Sequence, residues 1–288
     1  MPCATVHRPA GSHNVHQEGQ PMDIPLYQID AFTSRPFGGN PAAVCPLDAW
    51  LPDETLQAIA LENNLSETAF FVPAGPDFHL RWFTPAVEVN LCGHATLATA
   101  SVILERLEPE RPGVAFETQS GTLTVRRSGD GRLTMDFPAW PVTGQVDPDP
   151  ALMRAMGGEP LAAYAVREQH GAPYYLLHYG SQAEVAALRP DFGALTGNVI
   201  ATAEGDARDV DFVSRFFAPL SGIDEDPVTG SAHCTLTPFW AERLDKQTLA
   251  AQQISSRVGE LEVTLDGDRV KLTGSCAFYM QGRISLPD

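Results

Sequence analysis

The chain has 288 residues, of which 43% are hydrophobic, enough for one large or two medium-sized cores. It carries 19 Lys and Arg against 36 Asp and Glu, and the net charge of -17 opposes nucleic acid or an anionic membrane as the main partner. The 5 cysteines are odd in number and widely spaced, with no CxxC pair and no signal-peptide pattern. These features predict a cytoplasmic protein that binds a small molecule.

Residues 1–21 differ from the rest of the chain. They include His7, His13 and His16 but almost no apolar periodicity. No carboxylate or Cys spacing among them supports a defined metal site. We therefore expect a disordered extension, with the globular part beginning at Met22.

The remaining sequence predicts mixed α and β structure in chain order. In the first half we expect strands over 26–32, 42–45, 66–72, 79–83, 114–117, 123–126 and 133–137, and helices over 52–63 and 93–107. In the second half we expect strands over 200–203 and 210–217 and a helix over 230–244. The helices at 93 and 230 are nearly all apolar, which is typical of helices buried in a core.

The two halves echo each other. Residues 81–85 (RWFTP) return as 215–219 (RFFAP), an offset of 134, and the offset grows to 137 at Gly93 and Gly230. It reaches 138 for the hairpins at 121 and 259. Any single hairpin match would be weak, since such turns recur in β-rich proteins, but three matches in one order indicate duplication. We expect an α+β fold with a first half at 22–140, closed in part by the C-terminal residues, and a second half at 141–288.

The two repeated helix starts are candidates for binding an acid. A helix N-terminus presents unpaired N–H groups and a partial positive charge, and glycine lets a ligand approach the backbone closely. Gly93 and Gly230 could therefore hold a carboxylate without a basic patch. The alternative is that these glycines serve only helix packing or capping.

Glu67 and His94 are the candidate acid/base residues. Glu67 lies in an otherwise apolar segment, LSETAFF, where a buried carboxylate is costly unless paired or protonated. It could be a general base, or it could face water at a sheet edge. His94 could donate to a bound acid or cap its helix.

These residues belong to a larger pattern. The sequence resembles the PhzF-like phenazine-biosynthesis proteins from about residue 24 to residue 284. The resemblance is carried by DAF and PFGGNP within 30–41, LSETAF at 65–70, CGHAT at 92–96, RFFAP at 215–219 and EDPVTGSAH at 225–233. The segment QISSRVGE at 253–260 also fits the family's pattern.

The resemblance implies a diaminopimelate-epimerase-like fold. In this fold two similar domains, each a barrel-like mixed sheet around a central helix, enclose the active site between them, commonly in a homodimer. The family's best-known activity is isomerisation of trans-2,3-dihydro-3-hydroxyanthranilate. In that reaction one glutamate, matching Glu67, takes a proton from one carbon and returns it to another without metal or cofactor.

Carried over by motif, the resemblance implies two groups of site residues. The catalytic group is Glu67, His94 and Asp226. The substrate-binding group is Asn40, Gly93, Thr229, Gly230 and Ser231, with the substrate carboxylate at the backbone of Gly93, Thr229 and Gly230.

Two alternatives stay open at this point. A two-thiol racemase or epimerase of the same fold needs one cysteine at each helix start. Cys92 fills the first place, but the second start has none, and Cys234 lies inside its helix. That difference favours a one-base isomerase and makes Cys92 a packing or pocket-wall residue. A non-catalytic protein that binds small acids is the other alternative, and the substrate is not fixed by the motifs.

Overall fold

The computed structural model describes residues 22–166 and 173–286. The predicted disordered extension at 1–21 lies outside these residues. Within them, no helix combines the length and the apolar character that crossing a membrane requires.

The described chain contains 18 strands and five α-helices. The first half consists of β1 (Met22–Ala31), β2 (Asn40–Pro46), α1 (Asp53–Asn63), β3 (Glu67–Ala74), β4 (Asp77–Phe83), β5 (Glu88–Val89), α2 (Gly93–Val102), β6 (Gly113–Thr118), β7 (Gly121–Arg127) and β8 (Leu133–Pro138). A π-helical turn, Ile103–Leu107, continues α2, so the predicted helix over 93–107 changes its hydrogen-bond pattern after Val102.

The second half repeats this order with short additions. It consists of β9 (Gly144–Val146), α3 (Pro150–Met156), β10 (Ala162–Ala165), β11 (Tyr174–His178), α4 (Gln182–Ala187), β12 (Asn198–Glu204), β13 (Phe212–Ala218), β14 (Ile223–Asp226), α5 (Gly230–Leu244), β15 (Thr248–Gln253), β16 (Gly259–Asp266), β17 (Arg269–Gly274) and β18 (Cys276–Leu286). Helix α5 has the bounds that the sequence predicted.

The strand pairings repeat across the two halves. Strands β2 and β3 are parallel, β3 and β4 antiparallel, and β4 and β6 parallel. Strands β11, β12, β13 and β15 pair in the same senses. Strands β8 and β17 pair antiparallel, so the two mixed sheets are continuous with each other. The fold is thus an internally duplicated α+β fold of the diaminopimelate-epimerase type.

Two strands pair with strands other than the ones that they follow in the chain. Strand β9 follows β8 of the first half but pairs with β10 of the second. Strand β18 follows β17 of the second half but pairs along its length with β1 of the first. The sheet of the first half is therefore completed by β18, a strand of the second half. The predicted division between residues 140 and 141 stays a prediction.

Helices α2 and α5 form the centres of the two halves. Every residue of α2 from His94 to Val102 is buried, and Ala, Ser and Thr side chains allow the surrounding strands to come close. Helix α5 contains Pro238, which has no N–H to donate to the carbonyl of Cys234. The N–H of Trp140 donates to that carbonyl instead, at 2.9 Å, and so attaches the segment between the halves to α5.

A duplicated ion pair accounts for the arginine that the two motifs share. The guanidinium of Arg81 donates through Nε and Nη2 to both oxygens of Glu88, at 2.7 and 2.8 Å. Arg215 binds Glu225 in the same way, at 2.8 Å for both contacts. Each pair fixes the short strand, β5 or β14, that leads into a central helix.

The N-termini of the two central helices meet between the halves. A methyl group placed on Gly93 would lie 3.4 Å from Cα of Gly230, and one placed on Gly230 would lie 3.4 Å from Cα of Gly93. This spacing admits one methyl group in van der Waals contact, and a branched side chain would crowd the two helix starts.

We expect Gly93→Val to lower the free energy of unfolding by about 1–3 kcal/mol, because its γ-methyl groups overlap the backbone at Gly230. Gly282→Val is the matched control, since a side chain there meets nothing within 4 Å and valine suits strand β18. Chemical denaturation of both variants measures the difference. Equal stability of the two variants would contradict the close approach of the helices.

Candidate active site

A cavity of about 540 Å³ opens where the helix starts meet, between the two halves. Its size suits a small organic ligand. The predicted site residues on its wall are Glu67, Gly93, His94, Asp226, Thr229, Gly230 and Ser231. Apolar side chains, among them Leu91, Phe137 and Phe216, form much of the remaining surface.

Asn40 has a different position from the one expected. It is fully buried and lies behind the cavity wall, where its Nδ2 donates to Oδ1 of Asp226 at 2.7 Å and to the carbonyl of Val228 at 3.0 Å. The same Nδ2 lies 3.1 Å from Nδ1 of His94. An amide has two N–H groups, and Asp226 and Val228 use both. Asn40 therefore holds the side chain of Asp226 and the backbone of Val228, directly before Thr229, from behind the cavity wall.

His94 lies between Cys92 and Glu67. Its Nε2 is 3.1 Å from Oε2 of Glu67, and its Nδ1 is 3.5 Å from Sγ of Cys92. The contact with Glu67 has the distance of an ion pair but not the angle of an aligned hydrogen bond, and neither atom has another hydrogen-bond partner in the described chain. The two ring nitrogens thus face two different titratable groups.

The protonation of this group follows from its burial. Burial raises the pKa of the Cys92 thiol to about 11, so the thiol is neutral near neutral pH. Burial alone lowers the pKa of His94, but Cys92 and Glu67 outweigh it and raise that pKa well above its ordinary value. The protonated form of the imidazole is therefore favoured at this position.

Asp226 is a second buried carboxylate on the same wall. Burial raises its pKa to about 6, and the charge of Glu67 acts in the same direction. His94 and the hydrogen bonds from Thr229 and Asn40 oppose this rise. The Thr229 hydroxyl donates to Oδ2 of Asp226 at 2.6 Å. Asp226 therefore changes charge just below neutral pH.

The positive potential in the cavity comes from backbone and imidazole. In the described chain no Lys or Arg lines the cavity, and neither Cys92 nor Thr229, at the N-caps of α2 and α5, makes a capping hydrogen bond through its side chain. The first-turn N–H groups of both helices thus remain available to a ligand. Two uncapped N-termini at one point suit a carboxylate.

A metal-ligand set was not expected, yet three donors lie close together. Glu67, Cys92 and His94 bring one ligand atom each within 4.8 Å of one another. However, Cys92 and Glu67 approach opposite ring nitrogens of His94, whereas one ion would bind a single nitrogen of that ring. The arrangement fits proton movement better than metal binding.

Two further residues support the site and were not predicted individually. Gln253 accepts from the N–H of Thr229 at 2.9 Å and donates to the carbonyl of Asp226 at 2.7 Å. Arg257 donates to the carbonyls of Gly38 and Gly39 and so holds the loop before Asn40. Both lie in the segment 253–260 that fits the family's pattern, and that was their sequence signal.

Comparisons with known proteins agree with this geometry. The family model described as phenazine biosynthesis-like protein, PhzC-PhzF, matches residues 29–282. Two proteins of Pseudomonas aeruginosa, each called an uncharacterized isomerase, are 51% and 49% identical, over 92% of this chain and 100% of their own.

Solved structures give the same result. A PhzF-family protein of Enterococcus faecalis is 42% identical with a TM-score of 0.85, over 92% of this chain and 100% of its own. A hydroxyproline epimerase of Agrobacterium vitis is 13% identical with a TM-score of 0.57, over 93% of both chains, and shares the fold. The protein is an isomerase, and its chain belongs to the PhzC-PhzF family of phenazine biosynthesis-like proteins.

Proposed function

We propose that the protein moves a proton between two carbons of a small carboxylic acid by general acid/base catalysis, without a cofactor. The observation that carries this proposal is the position of Glu67 and His94 in the cavity where two uncapped helix N-termini meet. The backbone N–H groups of Gly93 and Gly230 would hold the carboxylate, whereas the N–H of Thr229 already donates to Gln253 and shapes the site from behind. Ser231, in the first turn of α5, adds a hydroxyl on the same wall.

In this mechanism Glu67 takes a proton from a carbon that is acidified by a neighbouring π system. The C–H electron pair delocalises towards the carboxylate, where the helix N-termini and the cationic His94 stabilise the developing charge. The proton then returns from Glu67 to another carbon of the same system. Atoms and charge balance without a second reactant.

The two-thiol alternative lacks its second thiol at the required place. The residue equivalent to Cys92 is Thr229, directly before Gly230, and its hydroxyl is committed to Asp226. Cys234 also lines the cavity, but one turn further along α5, where its Sγ donates to the carbonyl of Gly230 at 3.6 Å. Burial raises the pKa of Cys234 to about 12, which makes it a poor base.

The proposal includes a cytoplasmic homodimer. The four cysteines of the described chain, Cys45, Cys92, Cys234 and Cys276, are all free thiols, as expected in a reducing compartment. Phe37 and Tyr279 form an exposed aromatic contact with ring centroids 5.7 Å apart, and Met280 adjoins it along β18. An exposed apolar cluster of this kind suits a contact between two copies.

We expect Glu67→Gln to reduce proton exchange by about 100-fold or more, because the amide keeps the shape but cannot accept the proton. The measurement is deuterium uptake at carbon from deuterated water, by mass spectrometry, over a panel of small cyclic and amino acids. Ligand affinity should stay equal or rise, since a negative charge is removed. The exposed Glu62→Gln is the control. Unchanged exchange would remove Glu67 from the mechanism, and no exchange with any acid would favour a binding protein.

We expect Cys92→Ser and Cys234→Ser each to keep proton exchange within about tenfold of the parent, since losing a true base costs about 100-fold or more. The same deuterium assay measures this. If both substitutions abolished exchange while circular dichroism showed intact folding, the two-thiol mechanism would replace the one proposed.

We expect the affinity for a carboxylate to fall as pH rises through about 6, the pKa of Asp226. Below that pKa Asp226 is neutral, whereas above it a second anion beside Glu67 repels the ligand. Calorimetric titration with a simple acid across this range gives the profile. Asp226→Asn should flatten the fall, because the amide stays neutral, and a fall that persists in Asp226→Asn would assign it to another group.

A further inference from the structure

Two unused polar groups lie side by side on the second-half wall of the cavity. Tyr174 and Asn198 are register partners in the parallel pairing of β11 with β12, and both line the cavity. Their exposed fractions are 3% and 5%. The hydroxyl of Tyr174 and Oδ1 of Asn198 have no hydrogen-bond partner among the residues that the structure describes.

Two buried polar groups without hydrogen-bond partners destabilise the folded protein unless a ligand supplies those partners. An unsatisfied buried polar group loses its hydration without compensation, and two adjacent ones lose it twice. Burial raises the pKa of Tyr174 well above its ordinary value, so its hydroxyl stays neutral and can donate or accept. The cavity that both residues line has room for a small ligand next to them.

The duplication places Asn198 opposite the proposed base. Glu67 opens β3, where it pairs with Ala42, and Asn198 opens β12, where it pairs with Tyr174. Strand β4 confirms the equivalence, because Thr68 pairs with Phe83 as Val199 pairs with Phe217. A ligand between the halves therefore has the carboxylate of Glu67 on one side and the amide of Asn198 on the other.

A difference between the halves orients this amide. Between Phe83 and Glu88 lie four residues, 84–87, whereas between their equivalents, Phe217 and Glu225, lie seven, 218–224, because β13 and β14 each extend further. The longer segment includes Ser221, whose Oγ accepts from Nδ2 of Asn198 at 3.0 Å. One N–H of the amide is used in this way, and Oδ1 is left for a ligand.

We propose that Tyr174 and Asn198 form a second binding subsite, which takes a hydroxyl group of the substrate. A hydroxyl donates one hydrogen bond, to Oδ1 of Asn198, and accepts one, from Tyr174, so it satisfies both groups. The substrate is then a small hydroxy acid whose carboxylate lies at the helix starts, a placement that rests on the proposed function. Phe216, edge-on to Tyr174 with ring centroids 5.6 Å apart, holds the tyrosine ring in place.

The test compares matched acids by isothermal titration calorimetry. The probes are cyclohexanecarboxylate, its ring-hydroxylated isomers and their amino counterparts. We expect at least one hydroxylated isomer to bind about threefold to tenfold more tightly than the parent acid. Tyr174→Phe and Asn198→Leu should each remove most of this preference, measured as the ratio of the two affinities within the same variant.

Two variants control for indirect effects. Tyr179→Phe removes the hydroxyl of another buried tyrosine that has no partner among the described residues and does not line the cavity, so it should keep the preference. Asn198→Asp keeps an acceptor in the same shape and should also keep it. The second variant separates loss of the acceptor from misfolding caused by leucine.

The outcomes separate this subsite from the proposed reaction. If no hydroxylated isomer is preferred, or the preference survives both Tyr174→Phe and Asn198→Leu, the subsite is overturned, even where Glu67-dependent proton exchange is found. Preference for the amino counterparts overturns the assignment to a hydroxyl. A preference that both substitutions remove and Glu67→Gln retains supports the subsite, even where no acid undergoes exchange.

Discussion

The site depends on an electrostatic conflict: two helices present their positive N-terminal ends to each other at Gly93 and Gly230. Like ends of two dipoles repel, and neither helix start is relieved by a side-chain cap in the described chain. The surrounding strands hold the helices in this arrangement through their packing. An anion between the two helix ends reduces this repulsion, so the arrangement of the helices favours the binding of a carboxylate. An acidic chain can thereby bind an acid in a cavity that, among the described residues, is lined by no Lys or Arg.

The residues that the proposed reaction would use lie at positions where the two halves differ. Equivalent positions in the duplicated fold hold Glu67 and Asn198 at the first residue of a strand, and Cys92 and Thr229 directly before the helix glycines. In each pair the first half carries a group that can exchange a proton, and the second half carries a neutral hydrogen-bonding group. In the proposed mechanism, the features that the two halves share bind the carboxylate of the ligand. The features that differ place proton transfer on the first-half wall and hydrogen bonding to the substrate on the second-half wall.

The sequence predicted the parts of the site that local motifs encode. The glycine-led helices, the strand bearing Glu67 and the duplication follow from short patterns, and α5 was predicted to the residue. Tyr174 and Asn198 were missed because neither belongs to a motif, and strand register alone brings them together. The sequence did contain a signal for Asn198. The difference in residue number between equivalent positions of the two halves falls from 137 at Gly93 to 134 at Arg81. A further fall to 131 links Glu67 to Asn198. The placement of Asn40 behind the wall depends on the loop held by Arg257, which no pattern near Asn40 reveals.

The reciprocal strands β9 and β18 have a consequence for the order of the chain. Since β18 pairs with β1 as β9 pairs with β10, Met22 and Leu286 are register partners at one end of the β1 ladder. A short linker joining these two positions would be topologically equivalent to the natural connection that runs from β9 through α3 to β10. The chain could then be reopened at that connection, and a circular permutant with its halves in reverse order would keep every strand pairing. The order of the two halves along the chain could thus be reversed without changing the cavity, because residues of both halves form its wall.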